Sequence, residues 1–424
     1  MTWLQRYNFR NFLRSSLWLV PMLSGLFAII FHRLVWKFDL WTQWPLFGYT
    51  QESARLIVGA ISAAMLSFIV FLMTMIFIAL QVAVGQLTPR IIAFVFRTRA
   101  IKVSLGIFTF TYMFSVMALG RLDNQVPELV VLLTILFSAV SIGVFLFFVD
   151  YMGKSLRPIS ICEKLADMAT DVIETVYPVL LTHERCAGSK SLTSDWGAVA
   201  CTINHESGSG ILLAFDADGL AKVAARHNCM IRMIPQVGDF VSSGDPLFSI
   251  YQGGASLKYD ELRMSVVFGV ERTIEQDPGF VFRIIVDIAI KALSPAINDP
   301  TTAVSCIDQL QRLLRRVGQR DLGDGKIMDS QGIIRVVFPT PNWEDFVHLA
   351  ASEINHYGAE SIQVVRRLRA MLTDLLEYLP ERRKAVIKTR LDLLDLSVAR
   401  NYIDPVEREL AMLGDYKGVG GARQ

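Results

Sequence analysis

The stretch Leu56–Val84 reads LIVGAISAAMLSFIVFLMTMIFIALQVAV, an unbroken apolar run with no Asp, Glu, Lys or Arg in it. A bilayer's hydrocarbon core is about 30 Å thick and takes about 20 helical residues. This run exceeds that length, reaching roughly 42 Å at about 1.5 Å per residue. A helix of that length has to tilt, kink or project beyond the bilayer. Three further runs meet the same length criterion, at about 17–36, 103–120 and 129–149. The first contains Pro21 and ends on His32 and Arg33. It is read as a retained anchor, because Trp36, Lys37 and Phe38 follow it where a signal peptide would carry small residues for cleavage.

Charge divides the chain at the same place. Residues 1–155 hold 12 Lys/Arg and 5 Asp/Glu, whereas residues 156–424 hold 30 and 35. The overall 19% of charged residues lies below the roughly 25% usual for soluble proteins, and the deficit falls on the first part. A wholly soluble enzyme, a disordered chain and a disulfide-rich secreted domain are excluded. The net charge of +2 combines a basic membrane part with an acidic remainder and makes no case for nucleic acid. Lys/Arg excess marks the cytoplasmic side of a membrane protein. It occurs before the first run (Arg6, Arg10, Arg14) and between the second and third (Arg90, Arg97, Arg99, Lys102). Both termini are therefore expected in the cytoplasm, with Trp36, Trp41, Trp44, Phe47 and Tyr49 forming an aromatic belt at the first outer loop. The cysteines Cys162, Cys186, Cys201, Cys229 and Cys306 all follow the last crossing. They are expected as reduced thiols. The pairs His183/Cys186 and His227/Cys229 are too sparse for a four-ligand metal site.

Beyond the membrane part the pattern becomes α+β. A helical linker is expected over 156–197, a small β module over 198–262, and an α/β, then mostly helical, region over 263–417. Gly238-Asp239 and Gly244-Asp245 read as turns, with strands between and after them. The phrase Val237–Ile250 resembles the closing half of a lipoyl/biotinyl-like barrel-sandwich module. Those carriers present a modifiable lysine on a hairpin. Lys222, the only lysine between Ala198 and Tyr251, has Ala221 and Val223 as neighbours and does not match, so no cofactor is expected.

Asp277-Pro278 and Asp299-Pro300 both read as helix starts, with Asp capping and Pro at the first helical position. Arg283, Asp287 and Lys291 follow at four-residue steps and can form ion pairs along one helix face. Two arrangements remain open for them: a solvated or interfacial charged face, or a polar network with Glu271, Arg272, Asp277, Asn298 and Asp299 at an oligomer contact. The phrases around Glu271-Arg272-Thr273, Gln276-Asp277 and Ala292–Ala303 (ALSPAINDPTTA) resemble the bacterial predicted membrane proteins grouped as domain-of-unknown-function family 2254. The resemblance implies a bacterial inner-membrane protein and carries no activity.

Helices are expected over Trp343–His356, Glu360–Leu376 and Glu381–Arg400, with a short one after Asp404-Pro405. Arg366, Arg367 and Arg369 read as part of a solvated face, and residues 418–424 as a disordered tail. No phosphate loop, nucleophile elbow or zinc-protease helix is present. His205-Glu206-Ser207 reads as a flexible connector, so an enzyme is not favoured. The small residues Gly59, Ala63 and Ser67 stand at four-residue spacing in the longest run, which also carries Ser62, Thr74 and Gln81. Small residues so spaced let membrane helices approach closely, either within one subunit's four-helix bundle or between copies around a pore. The functional expectation is a homo-oligomeric channel or pore with a cytoplasmic gating domain. The alternative is a membrane-anchored scaffold or regulator whose cytoplasmic part binds a protein or small ligand.

Overall fold

The computed structural model describes residues 3–42, 48–91, 98–122, 126–155, 157–181, 196–254, 257–322 and 325–420. The expectations placed on Trp44, Phe47, Arg97, His183 and Cys186 lie outside the described residues. The chain divides into two compact units, one of residues 9–160 and one of residues 1–8 with 161–424. The opening helix α1 (Trp3–Ser15) contributes to both.

Residues 9–160 hold four helices long and apolar enough to cross a membrane: α2 (Leu19–Thr42), α3 (Gln51–Gln86), α4 (Arg99–Leu119) and α5 (Glu128–Ser155). At 36 residues, α3 extends roughly 54 Å at about 1.5 Å per residue. It begins under Thr50, whose side chain accepts the Ser53 N–H, and therefore starts before its apolar run. The third crossing, α4, is the hub of the bundle and packs on α2, α3 and α5. Half of its apolar window is buried, against 22% for α3. Gly106 permits the α2–α4 approach: a Cβ there would meet Ser24 Oγ at 2.9 Å and Val20 Cγ1 at 3.1 Å. Phe31, Phe110, Phe114 and Phe137 interlock across α2, α4 and α5. Phe68 of α3 stacks on Phe145 of α5 at 4.7 Å. Thr111 and Ser141 share a buried hydrogen bond of 3.0 Å, the polar cross-link that lipid-embedded bundles use.

The other unit builds two sheets around one core. Its elements in order are α6 (Pro158–Val176), β1 (Val199–Asn204), β2 (Gly210–Phe215), α7 (Ala217–Arg226), β3 (Met230–Met233), β4 (Phe240–Val241) and β5 (Pro246–Tyr251). There follow α8 (Tyr259–Arg263), β6 (Val266–Gly269), α9 (Pro278–Ala292), α10 (Pro300–Gly318), β7 (Gly325–Met328) and β8 (Ile334–Phe338). The chain ends on α11 (Trp343–Gly358), α12 (Ile362–Tyr378), α13 (Glu381–Asn401) and α14 (Pro405–Ala411). The sheets have the orders β1-β5-β3-β8-β7 and β4-β2-β6, and Leu212, Phe215, Leu220, Ile231, Phe248 and Val336 fill the space they share with α7.

The two Gly-Asp turns form as the spacing predicts. Gly238 and Gly244 take φ +98° and +94°, and Asp239 and Asp245 accept the N–H groups of Gln236 and Ser242. Three features depart from the sequence reading. Residues 217–226 form a helix where short strands were expected, because Asp216 caps it through the Gly219 N–H; Lys222 stands exposed on that helix, not on a hairpin. The five-stranded sheet is completed only when β8 pairs parallel with β3, about a hundred residues away in sequence. Finally, Trp3, Leu4 and Tyr7 of α1 pack on Ile211, Leu213, Ala214 and Val267 of the three-stranded sheet.

Candidate functional site

Two groups of residues were candidates, and their local structure separates them. On α3, the face packed inside the bundle is apolar: Ala54, Val58, Met65, Leu72, Ile76 and Ala79 are 0–2% exposed. Ser62, at 8%, joins that face, and Gly59 lies at its edge. Ala63, Ser67, Thr74 and Gln81 point away from the bundle and are exposed. Ser67 and Thr74 donate to the carbonyls of Ala63 and Val70, four residues back. Ala63 and Ser67 therefore do not pack within their own bundle, and the inward face mixes Ala54, Ser62 and Ala79 with the larger Val58, Met65, Leu72 and Ile76.

The second group resolves into three separate sites. Asp277 is buried and caps α9 by accepting the Phe280 N–H at 2.9 Å. It lies under the Gly238 turn, where an added Cβ would come within 2.6 Å of its Oδ2 and 3.5 Å of the Arg272 guanidinium carbon. Burial pushes its carboxyl up to about 6, opposed by the Phe280 hydrogen bond and by Arg272. Next to it, Gln276 accepts the Phe215 N–H and donates to the Phe215 carbonyl, so its amide acts as a short extension of the sheet.

Arg283 is the centre of the second site. It bonds Asp287 on its own helix at 2.7 Å and grips both carboxylate oxygens of Glu353 on α11. The paired guanidinium holds the Glu353 carboxyl below its ordinary range. Lys291, expected to continue this row, is exposed, as is Glu271. The third site is the α9–α10 turn. Asn298 takes φ +48°, a left-handed conformation that Asn tolerates better than most residues. Asp299 then accepts from the Thr302 N–H and hydroxyl. All three sites fix joints between elements.

Other expectations are overturned by burial. Arg366, Arg367 and Arg369 are 3–8% exposed and not a solvated face. Arg367 and Arg369 pair with Asp308 and Asp395 at 2.5 Å. Arg366 donates to the carbonyls of Leu413 and Gly420, while Asp415 accepts the N–H groups of Lys417, Gly418 and Gly420. The segment read as free from Gly418 is thus held through Gly420. His205 is also fully buried, not in a flexible connector. Its Nε2–H donates to the Gly208 carbonyl, which leaves Nδ1 to accept from the Tyr259 hydroxyl; Ser207 donates to the same hydroxyl. Ser207 and His205 meet through Tyr259, so the nucleophile–base hydrogen bond of a triad is not what this cluster makes. In the membrane unit, His32 is fully buried against Trp36 and Phe114, and neither ring nitrogen has a hydrogen-bond partner among the described residues.

Four membrane-length helices, followed by an α/β unit and a helical end, define a polytopic membrane protein. A family model described as predicted membrane protein (DUF2254) matches residues 14–374, and the chain belongs to that family. Uncharacterized proteins of Mycobacterium bovis and Mycobacterium tuberculosis are 25% identical to it over 95% of this chain and 80% of theirs. No solved structure matches the chain.

Proposed function

We propose that the protein is a homo-oligomer of the bacterial inner membrane in which α3 helices of neighbouring copies meet along Gly59, Ala63, Ser67, Thr74 and Gln81 and line a conduction path. The observation that carries this reading is the outward position of Ala63, Ser67, Thr74 and Gln81 on α3. They share that exposed face with Leu56, Val70 and Phe77, while Val58, Met65 and Leu72 pack inside the bundle. Lipid offers no partner to a glutamine amide, and small residues are what close helix contacts require in a bilayer. In this reading the residues of α3 beyond one bilayer thickness extend toward the cytoplasm, and the α/β unit serves as the gate.

Both termini lie in the cytoplasm in this reading. The Lys/Arg asymmetry supports that side. The membership of residues 3–8 and 161–424 in one compact unit supports an even number of crossings between them. Alkaline phosphatase fused after Lys154 is expected to be inactive, and fused in the loop before Glu128 to be active.

Single-particle imaging of the purified protein tests the oligomer. The expected result is a ring with α3 at its axis, and disulfide cross-linking between copies carrying Ser67→Cys. A monomer, or a ring with α3 facing lipid, overturns the proposal. Liposome flux is then expected to fall in Ser67→Trp and to change in Gln81→Leu. Flux equal to wild type in both returns the protein to the scaffold or regulator reading.

A further inference from the structure

Between α11, α12 and α13 lies a cavity of about 400 Å³. Leu368, Leu372 and Leu394 line it together with Asn355, Arg390 and Arg400. Among the described residues no carboxylate lines it, and the buried Arg390 Nε and Asn355 Oδ1 have no hydrogen-bond partner. Among the described residues neither Arg390 nor Arg400 has an ion-pair partner. Burial alone lowers the affinity of Arg390 for its proton, with no neighbouring acid to offset it.

A second cavity in the same unit provides the contrast. It is lined by Arg312, Arg315, Arg316 and Arg367, and each has a carboxylate: Asp167, Asp374, Glu174 and Asp308. That cavity is balanced from within. The α11–α13 cavity is not: Arg390 is half-buried with its Nε shielded from solvent, Arg400 is exposed, and the lining holds no acid to offset either charge. The guanidinium fork matches carboxylate and phosphate oxygens, and leucine walls suit an apolar body.

We propose that this cavity is a binding site for an amphipathic oxyanion, with a phosphate or carboxylate head on Arg390 and Arg400 and an apolar chain of roughly six to ten carbons along the leucines. The Asn355 amide, with its unmet acceptor, takes a hydroxyl or protonated oxygen of the head. Such a ligand is either derived from lipid or a free metabolite. The proposal is independent of the conduction reading.

The test uses the full chain in zwitterionic nanodiscs and equilibrium dialysis with hexyl phosphate, with empty nanodiscs as the blank. Saturable uptake is expected in wild type, at least tenfold weaker binding in Arg390→Gln, and none in Ser397→Trp, which fills the cavity. Arg312→Gln, in the balanced cavity, should bind as wild type. Because Arg390→Gln removes an unpaired cation, it should unfold no earlier than wild type, so lost binding is not lost folding. Hexyl phosphate should raise the thermal midpoint of wild type and leave that of Arg390→Gln unchanged. Tighter binding of a single-chain phosphatidate assigns a lipid source, and its exclusion a soluble one; both support the site. The proposal is overturned by no saturable uptake in wild type, by equal uptake of hexanol, or by binding unchanged in both variants. Protection of α13 that follows protein concentration and not hexyl phosphate would assign the cavity to a second copy and overturn it as well.

Discussion

Asp39, in the last turns of α2, accepts the backbone N–H of Leu129 at 3.0 Å and that of Val130 at 3.3 Å. The end of the first crossing thereby caps the start of the fourth. Gly48 and Gln51 add bonds to the Glu128 carboxylate and the Leu122 carbonyl at the same end. Loss of a helix cap typically costs about 1 kcal/mol and up to about 2. Asp39→Ala is expected to lower the thermal midpoint in detergent, with Asp39→Asn in between. Unfolding of the alanine variant at the wild-type temperature would remove this bond from the account of the bundle.

Asp277 makes a pH prediction. Its carboxyl is raised from an ordinary value near 3.8 to about 6, so the folded protein holds this proton more tightly than the unfolded chain. The stabilisation is full below pH 3.8 and is lost as pH rises through about 6. The displacement corresponds to about 3 kcal/mol against the ionised form. Asp277→Asn keeps an acceptor for the Phe280 N–H and removes the charge. It should unfold later than wild type at pH 7.5 and show a flatter stability profile between pH 4 and 6. A profile identical to wild type would mean that another group sets the pH dependence.

His32 has buried ring nitrogens and no hydrogen-bond partner among the described residues. An unmet buried donor or acceptor costs about 1–3 kcal/mol, so His32→Leu is expected to raise the thermal midpoint. If that variant instead keeps its stability and loses liposome flux, the imidazole works in transport and is not packing.

The carboxyl-terminal turn around Asp415 is a closure. Asp415→Ala leaves three backbone N–H groups without their acceptor. It is expected to cost about 1–3 kcal/mol and to open the peptide bonds after Lys417 to trypsin. Cleavage there at the wild-type rate would show that Arg366 and Gln363, which donate to the carbonyls of Gly420 and Gly418, hold the segment without it.

What could be read from the sequence was local. The four apolar runs stand out because a bilayer demands length, and Asp277-Pro278 and Asp299-Pro300 begin helices because capping needs only neighbouring atoms. The misses concern partners distant in sequence. Arg366 and Arg367 read as solvated because Asp308 and the carbonyls of Leu413 and Gly420 stand about fifty residues away on either side, and Arg369 because Asp395 lies 26 residues on, in the next helix. The β3–β8 pair leaves no local trace at Ile231 or Val336. The Ser67 face of α3 was identifiable by its spacing, but whether it faced inward or outward depended on α4 and α5. The α11–α13 cavity had no sequence signal, since Asn355, Leu368 and Arg390 look like ordinary helix residues until three helices converge.

The seat of Trp3 and Tyr7 on the β2–β6 sheet also sets an order of events during synthesis. Tyr7 emerges about two hundred residues before Leu213, which at about 5–20 residues per second is a delay of roughly 10–40 s. Throughout that interval the membrane crossings are being made while the aromatic face of the first helix has no sheet to cover. The bilayer-spanning part is, in this sense, an insertion inside a domain whose two pieces are translated at different times. That domain can close only after the ribosome has passed Val267.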